Sequence, residues 1–212
     1  MRIQRLSISE QIFDDITEKI KTGEIQPGAK LVIANIQKEY GVSSTPVRDA
    51  LNLLSAAGFV EFCSNSTACV AEMDDERKAC ILELYYEQND MSFRILMRHN
   101  MIDKVSKAMH EIYERLLAQK GQPVDEIMKT FVELINTPGH MTGNLYYGSM
   151  TKGFRGKFVI AFGDYNRIFS LDDVYRISGA MIDALDRKDY DAFQAARVTV
   201  YDCFRRTLQR SN

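Results

Sequence analysis

The chain has 212 residues, 45% of them apolar and 26% charged, with a formal charge of −2. That apolar content is enough to bury a core, the length fits one domain or two, and the balanced charge gives no polyelectrolyte signal. No apolar run is long enough to span a bilayer, and the first seven residues lack the apolar stretch of a signal peptide, so a cytoplasmic location without membrane insertion is expected.

Ser7-Ile8-Ser9-Glu10 has the form of a capping box, a hydroxyl at the N-cap and a carboxylate three residues on. Ile12, Phe13, Ile16 and Ile20 follow on one face, which predicts an amphipathic helix ending near Gly23. Pro27-Gly28 turns the chain into a short periodic segment, Ile33, Ile36 and Tyr40, that stops at Gly41. Three hydroxyl residues and a proline come next. Ser44 or Thr45 is expected to accept the unpaired N–H groups of a new helix, and Pro46 is tolerated in its first turn. Val47, Ala50, Leu51 and Leu54 then recur at three and four residues, a buried stripe, with Ser43, Ser44, Thr45 and Arg48 on the opposite face. This is the layout of a helix-turn-helix whose second helix offers small donors and one Arg to a groove. After Gly58, Phe59–Phe62 and Ala68–Ala71 read as two strands around the turn-rich Ser64-Asn65-Ser66-Thr67. The expectation is a winged helix-turn-helix domain over residues 1–73. The four cysteines form no C-x-x-C and are too sparse for a disulfide framework, so reduced thiols are the default, although Cys63 and Cys69 are spaced to meet across the hairpin.

The stretch Gly41-Val42-Ser43-Ser44-Thr45-Pro46-Val47-Arg48-Asp49-Ala50-Leu51 resembles the recognition-helix signature of the GntR superfamily of bacterial regulators, in its FadR-like branch. The resemblance extends back through Pro27–Leu31 and forward through Ala57–Val60, about the first third of the chain. It implies binding to double-stranded DNA through Ser43, Ser44, Thr45 and Arg48, with Asn65 and Thr67 from the wing. The family usually carries arginines where this chain has Ala34 and Ser44, a glutamate at Asp49, and a wing glycine at Thr67. Through Met73 there are seven Lys and Arg against nine Asp and Glu. Phosphate contacts and counterion release supply most non-specific affinity, so weaker and less salt-sensitive binding than the family norm is expected.

From Asp74 onward helical periodicity dominates. Asp74–Lys78 is a charged junction; Ile81, Leu84 and Tyr85 lead one segment, which Met91, Ile95 and Met97 continue or replace with another. Val105, Met109, Ile112 and Leu116 mark the next, and Pro123 opens a helix carrying Ile127, Phe131 and Leu134 that is expected to close before Pro138. Gly148 and Gly153 have the spacing that begins a phosphate loop, but Phe154 stands where its lysine must be. Lys157–Phe162 fits a strand by composition and a helix by length and context, and helix is favoured. Ser170–Asp173 is a second capping box ahead of Val174, Ile177, Met181 and Leu185, and Asp189 caps a last helix through Leu208. The fold class is therefore mostly α: a winged helix-turn-helix followed by an all-α antiparallel bundle over residues 74–212.

This second part is similar to the ligand-sensing, dimer-forming bundle of FadR-like regulators, with a homodimer implied. Many of that class hold a divalent metal with one Asp and three His. Here Met128, Val132, Ser178 and Val200 occupy those positions, and none is a strong ligand, so neither a metal nor another cofactor is expected. The cavity is expected to take a small organic effector against Met128, Phe131, Tyr146, Tyr147 and Met181. Arg94 and Arg98 either hold its carboxylate or pair with Asp90 and other acids on a solvated face. The implied function is an effector-controlled DNA-binding transcriptional regulator acting as a repressor. The alternative is a protein-interaction module with a degenerate DNA-binding head. No Ser-His-Asp, Cys-His or paired-carboxylate pattern stands out, and an enzyme is not expected.

Overall fold

The computed structural model describes residues 6–209, without the side chains at 149–153 and 155. The chain is mostly helical with one small antiparallel sheet, and it packs as two compact units. One unit reaches through Ile81 and takes in Gly148–Gly163; the other holds Leu82–Tyr147 and the chain from Asp164 onward. The sequence suggests a single break after Met73, whereas packing gives the first unit a second, later segment.

In the first unit α1 (Ile8–Lys21) starts with the expected capping box. The Ser7 Oγ accepts from the Glu10 N–H at 3.2 Å, and the Glu10 carboxylate accepts from the Ser7 N–H at 2.7 Å. A three-residue strand, β1 (Lys30–Val32), then leads directly into α2 (Ile33–Tyr40). Gly41 ends α2 with φ 65°, the left-handed conformation that glycine adopts most readily. The helix α3 (Ser44–Ala56) follows, and its N-cap is Ser43, which makes no side-chain capping bond. Ser44 and Thr45 are therefore helical residues and not the cap expected from the sequence. β2 (Val60–Ser64) and β3 (Thr67–Val70) form the wing hairpin. β1 adds to it, giving a three-stranded antiparallel sheet of order β1-β3-β2, where the sequence suggested two strands. Three residues ahead of a helix carry too little alternation to announce a strand; it is defined by the partner it meets, with Leu31 opposite Ala68.

Ile12 and Ile16 of α1, Ile36 of α2, Val47, Leu51 and Leu54 of α3, and Val60 and Val70 of the wing form one buried core. Each such aliphatic side chain contributes about 1.5–3 kcal/mol on burial, so the stripe on α3 fixes which of its faces remains outside. Cys63 and Cys69 are disulfide-bonded, with Cα atoms 6.1 Å apart, against the expectation of reduced thiols. The ladder slips between Phe62 and Ser64, leaving Cys63 as the extra residue within disulfide reach of Cys69.

The helical unit contains most of α4 (Asp75–Arg98), which is uninterrupted, then α5 (Ile102–Ala118) and α6 (Val124–His140). α6 runs through Pro138 instead of closing before it. A proline in the last turn deprives only the Leu134 carbonyl of its usual donor, a tolerable loss near a terminus. α7 (Tyr147–Phe162) includes Gly148–Gly153 and Lys157–Phe162 as helix and belongs, from Gly148, to the first unit. The short α8 (Tyr165–Ile168) precedes α9 (Leu171–Asp186), whose Ser170–Asp173 capping box forms as expected. α10 (Tyr190–Gln209) is capped by Asp189, whose carboxylate accepts from the Ala192 N–H at 3.0 Å. The core of this unit is rich in aromatics: Phe169 stands edge-on to Phe131 and Phe204, at 5.1 and 5.2 Å between ring centres. Phe93 stacks on Phe193 at 4.8 Å.

Candidate nucleic-acid interface and ligand cavity

The buried stripe of α3 turns its first turn outward. Ser43, Thr45 and Arg48 are exposed, and Ser44 is half-buried. The leading N–H groups of a helix have no partner within it, and Pro46 contributes none, so Ser44 and Thr45 present backbone donors at the positive end of the helix dipole. Arg48 donates from Nη1 to the Asn65 carbonyl at 2.9 Å. Asn65 and Ser66 form the turn between β2 and β3, whereas Thr67 is already the first residue of β3 and half-buried. The wing tip is thus Asn65-Ser66, and one guanidinium joins it to the recognition helix. A guanidinium has five N–H donors, so this bond leaves capacity for a phosphate or a base edge. Lys19, by contrast, is engaged by Asp15 at 2.9 Å and Glu39 at 2.8 Å.

In the helical unit a small cavity has about 20 Å³ of space, room for roughly one or two waters. It is lined by Tyr85, Tyr86, Asn89 and Asp90 of α4, Ile135 of α6, Met181 of α9, and Gln194, Arg197, Val200 and Tyr201 of α10. The Gln194 carboxamide accepts from Arg197 Nη1 at 2.7 Å and donates to Asp90 Oδ1 at 2.7 Å. The other Asp90 oxygen pairs with Arg94 at 2.8 Å. The Arg197 guanidinium carbon lies 5.8 Å from the centre of the Phe93 ring, and Tyr86 and Tyr201 are 5.1 Å apart. Burial pushes the Arg197 pKa down and the Tyr85 phenol up to about 12.

Of the effector residues named from the sequence, Met181 lines this cavity. Met128 and Phe131 are buried elsewhere in the core, Tyr147 is buried with its hydroxyl donating to the Gln88 carbonyl at 3.1 Å, and Tyr146 is 79% exposed. Arg94 takes the Asp90 pairing that the sequence offered as one alternative, and Arg98 is exposed. The sequence reading missed Arg197, Gln194 and Tyr201. Their signal was spacing at three and four residues along the last helix, shared with Val200, but in the bare sequence Arg197 looks like any solvated arginine. Among the described residues no group of three or more His, Cys, Asp or Glu is placed to hold a metal ion. No helix among them is long and apolar enough to cross a membrane.

A buried stripe on the second of two helices, a glycine turn and a paired wing define a winged helix-turn-helix. Residues 8–70 match the bacterial regulatory proteins, gntR family. The HTH-type transcriptional regulator McbR of Escherichia coli (strain K12) is 24% identical over 128 residues, 60% of this chain and 58% of that protein. The HTH-type transcriptional regulator Mce2R of Mycobacterium tuberculosis (strain CDC 1551 / Oshkosh) is 34% identical over 102 residues, 48% of this chain and 38% of that protein. The aligned region thus spans about half or less of these curated relatives. The solved structure of E. coli McbR/YncC shares the fold, with a TM-score of 0.70 at 20% identity over 98% of this chain and 100% of that one.

Proposed function

We propose that this chain is a transcriptional repressor that binds double-stranded DNA as a homodimer in the bacterial cytoplasm and is released by a small organic effector held in its helical unit. The observation that carries the reading is the Arg48–Asn65 bond. It puts the exposed helix start and the wing turn on one face, which suits a helix in the major groove with the wing beside it. The relatives' names, both HTH-type transcriptional regulators, support the same reading. Control works by population shift: the effector must bind the DNA-incompetent arrangement of the dimer more tightly than the competent one, by a coupling of about 1–3 kcal/mol.

A second reading, an interaction module with a degenerate head, is favoured by the seven bases against nine acids through Met73. Footprinting on DNA flanking the protein's own coding region separates the two. The repressor reading expects a protected, two-fold symmetric site with half-sites about 10 base pairs apart. No protection at low salt, with or without cell extract, overturns it in favour of the interaction module.

A further inference from the structure

We infer that Cys63 and Cys69 form a reversible thiol–disulfide site that sets the order of the wing turn, and that the oxidised wing binds DNA more tightly than the reduced one. The inference adds a second control to the proposed function and rests on that reading for its cellular setting and its DNA arm.

The bond closes a ring around Ser64-Asn65-Ser66-Thr67, which carries the tip of the wing. Two main-chain contacts hold the same tip from outside. The Asn65 carbonyl accepts from Arg48 Nη1 at 2.9 Å, and the Ser66 carbonyl accepts from the Ile33 N–H at 3.1 Å, at the start of α2. The cysteine pair thus ties down the very turn whose carbonyl Arg48 meets. The ladder does not do this alone. Its register slips between Phe62 and Ser64, so Cys63 has no rung of its own, and the bond to Cys69 fastens the strand at that point. A turn left open must be ordered when the wing meets DNA, and that ordering is subtracted from affinity; a closed turn is ordered beforehand.

Three features suit the pair to cycling. Cys63 is exposed and Cys69 half-buried, so a small-molecule disulfide reaches Cys63 first and Cys69 resolves the mixed species. The buried core of this unit includes neither cysteine, so the bond can open without unfolding the domain. The rungs from Lys30 to Cys69 and from Val60 to Val70 persist after reduction, which keeps the two thiols neighbours and lets the bond close again. In the cytoplasm proposed for this chain thiols are kept reduced, and the disulfides that form there are usually transient and redox-sensing.

The oxidant is a small-molecule disulfide. The Cys63 thiolate attacks one of its sulfurs and expels one thiolate; the Cys69 thiolate then attacks the Cys63 sulfur and expels the second. Two protein thiols are oxidised, one disulfide is reduced to two thiols, and the protons lost by the cysteines pass to the departing thiolates. Excess small thiol runs the same steps backward.

The test compares the full chain equilibrated with reduced and with oxidised glutathione. Thiol alkylation followed by mass measurement should show Cys63 and Cys69 passing together between free and bonded. The oxidised protein should bind DNA flanking its own coding region at least about fivefold more tightly than the reduced protein, with slower hydrogen exchange at Ser64–Thr67. Cys63→Ser should bind like the reduced chain in both conditions, whereas Cys80→Ser, which removes the exposed free cysteine, should keep the full response. A bond that persists in about 10 mM reduced glutathione, as a structural disulfide does, overturns the inference. So does a pair that never closes in oxidised glutathione. Equal affinity of the two forms, tighter binding by the reduced form, or a response that survives Cys63→Ser also overturns it. Absence of DNA binding in both states, with alkylation and exchange still following the glutathione ratio, overturns the repressor reading and the DNA arm with it, and upholds the redox site.

Discussion

Gly156 lies in the middle of α7, and adding one methyl group there tests how that helix is held in the first unit. Its N–H donates to the Ala57 carbonyl at 2.8 Å, at the end of the recognition helix. A Cβ at this position would meet the Ala57 oxygen at 2.3 Å and the backbone of Gly58 and Phe59 at 2.7 Å. All three obstacles are main chain, so no side chain can swing aside. To restore separations of 3.4 Å or more, α7 must retreat by about 1 Å. That stretches the hydrogen bond and lifts Val159 and Ile160 from the core they pack against. Overpacking costs about 1–3 kcal/mol and the bond about 1 kcal/mol. Against these, alanine is the better helix former by about 1 kcal/mol. The exposed Lys157–Glu61 pair, 3.0 Å apart, adds little on either side. Gly156→Ala should therefore destabilise by about 2 kcal/mol, a fall in Tm of several degrees for a chain of this size. Hydrogen exchange should quicken together in residues 154–162 and 57–61. A variant with raised Tm and unchanged exchange, the outcome helix propensity alone would give, would refute the docking of α7 on this corner.

Other outcomes follow from single residues. Ser178 is fully buried and its Oγ has no hydrogen-bond partner among the described residues, so Ser178→Ala should raise stability to urea by about 0.5–1 kcal/mol. A loss of more than about 1 kcal/mol would mean that the hydroxyl is satisfied. Burial raises the folded pKa of Tyr85 from 10.0 to about 12. The neutral phenol favours the folded state, so its contribution is whole below pH 10 and is lost as pH climbs toward 12, by up to about 1.4 kcal/mol per pH unit. Tyr85→Phe should flatten the alkaline slope of Tm, and an unchanged slope would contradict this. Reducing the Cys63–Cys69 bond should speed exchange at Ser64–Thr67 while the core helices stay protected, because the ladder to β1 persists. Unchanged exchange at the turn would mean that the ladder alone holds it.

What the sequence disclosed was local. The capping boxes at Ser7 and Ser170, the Gly41 turn and the stripe from Val47 to Leu54 are set by residues close together along the chain, and each formed. What it withheld depends on distant partners. β1 is a strand because β3 lies beside it, and Cys63 reaches Cys69 because the ladder slips by one residue. Pro138 stays helical because its missing bond falls in a final turn. Arg94 and Arg98, four apart, suited either a ligand's acid group or a neighbouring acid such as Asp90, and only the fold decides that Arg94 is paired with Asp90. Arg197 lines the cavity only because the fold brings α4 and α10 together.

The most direct measurement on the central claim is the salt dependence of DNA affinity for the native chain and for Arg48→Ala. Arg48 is exposed, so its removal should leave Tm nearly unchanged while unfastening the wing turn and deleting a cation from the surface proposed to meet DNA. The expected result is at least about tenfold weaker binding and a log–log salt slope shallower by about 0.9 for each phosphate that Arg48 no longer neutralises, twice that for a symmetric dimer. Equal affinity and equal slope in the two proteins would contradict recognition of DNA by this face.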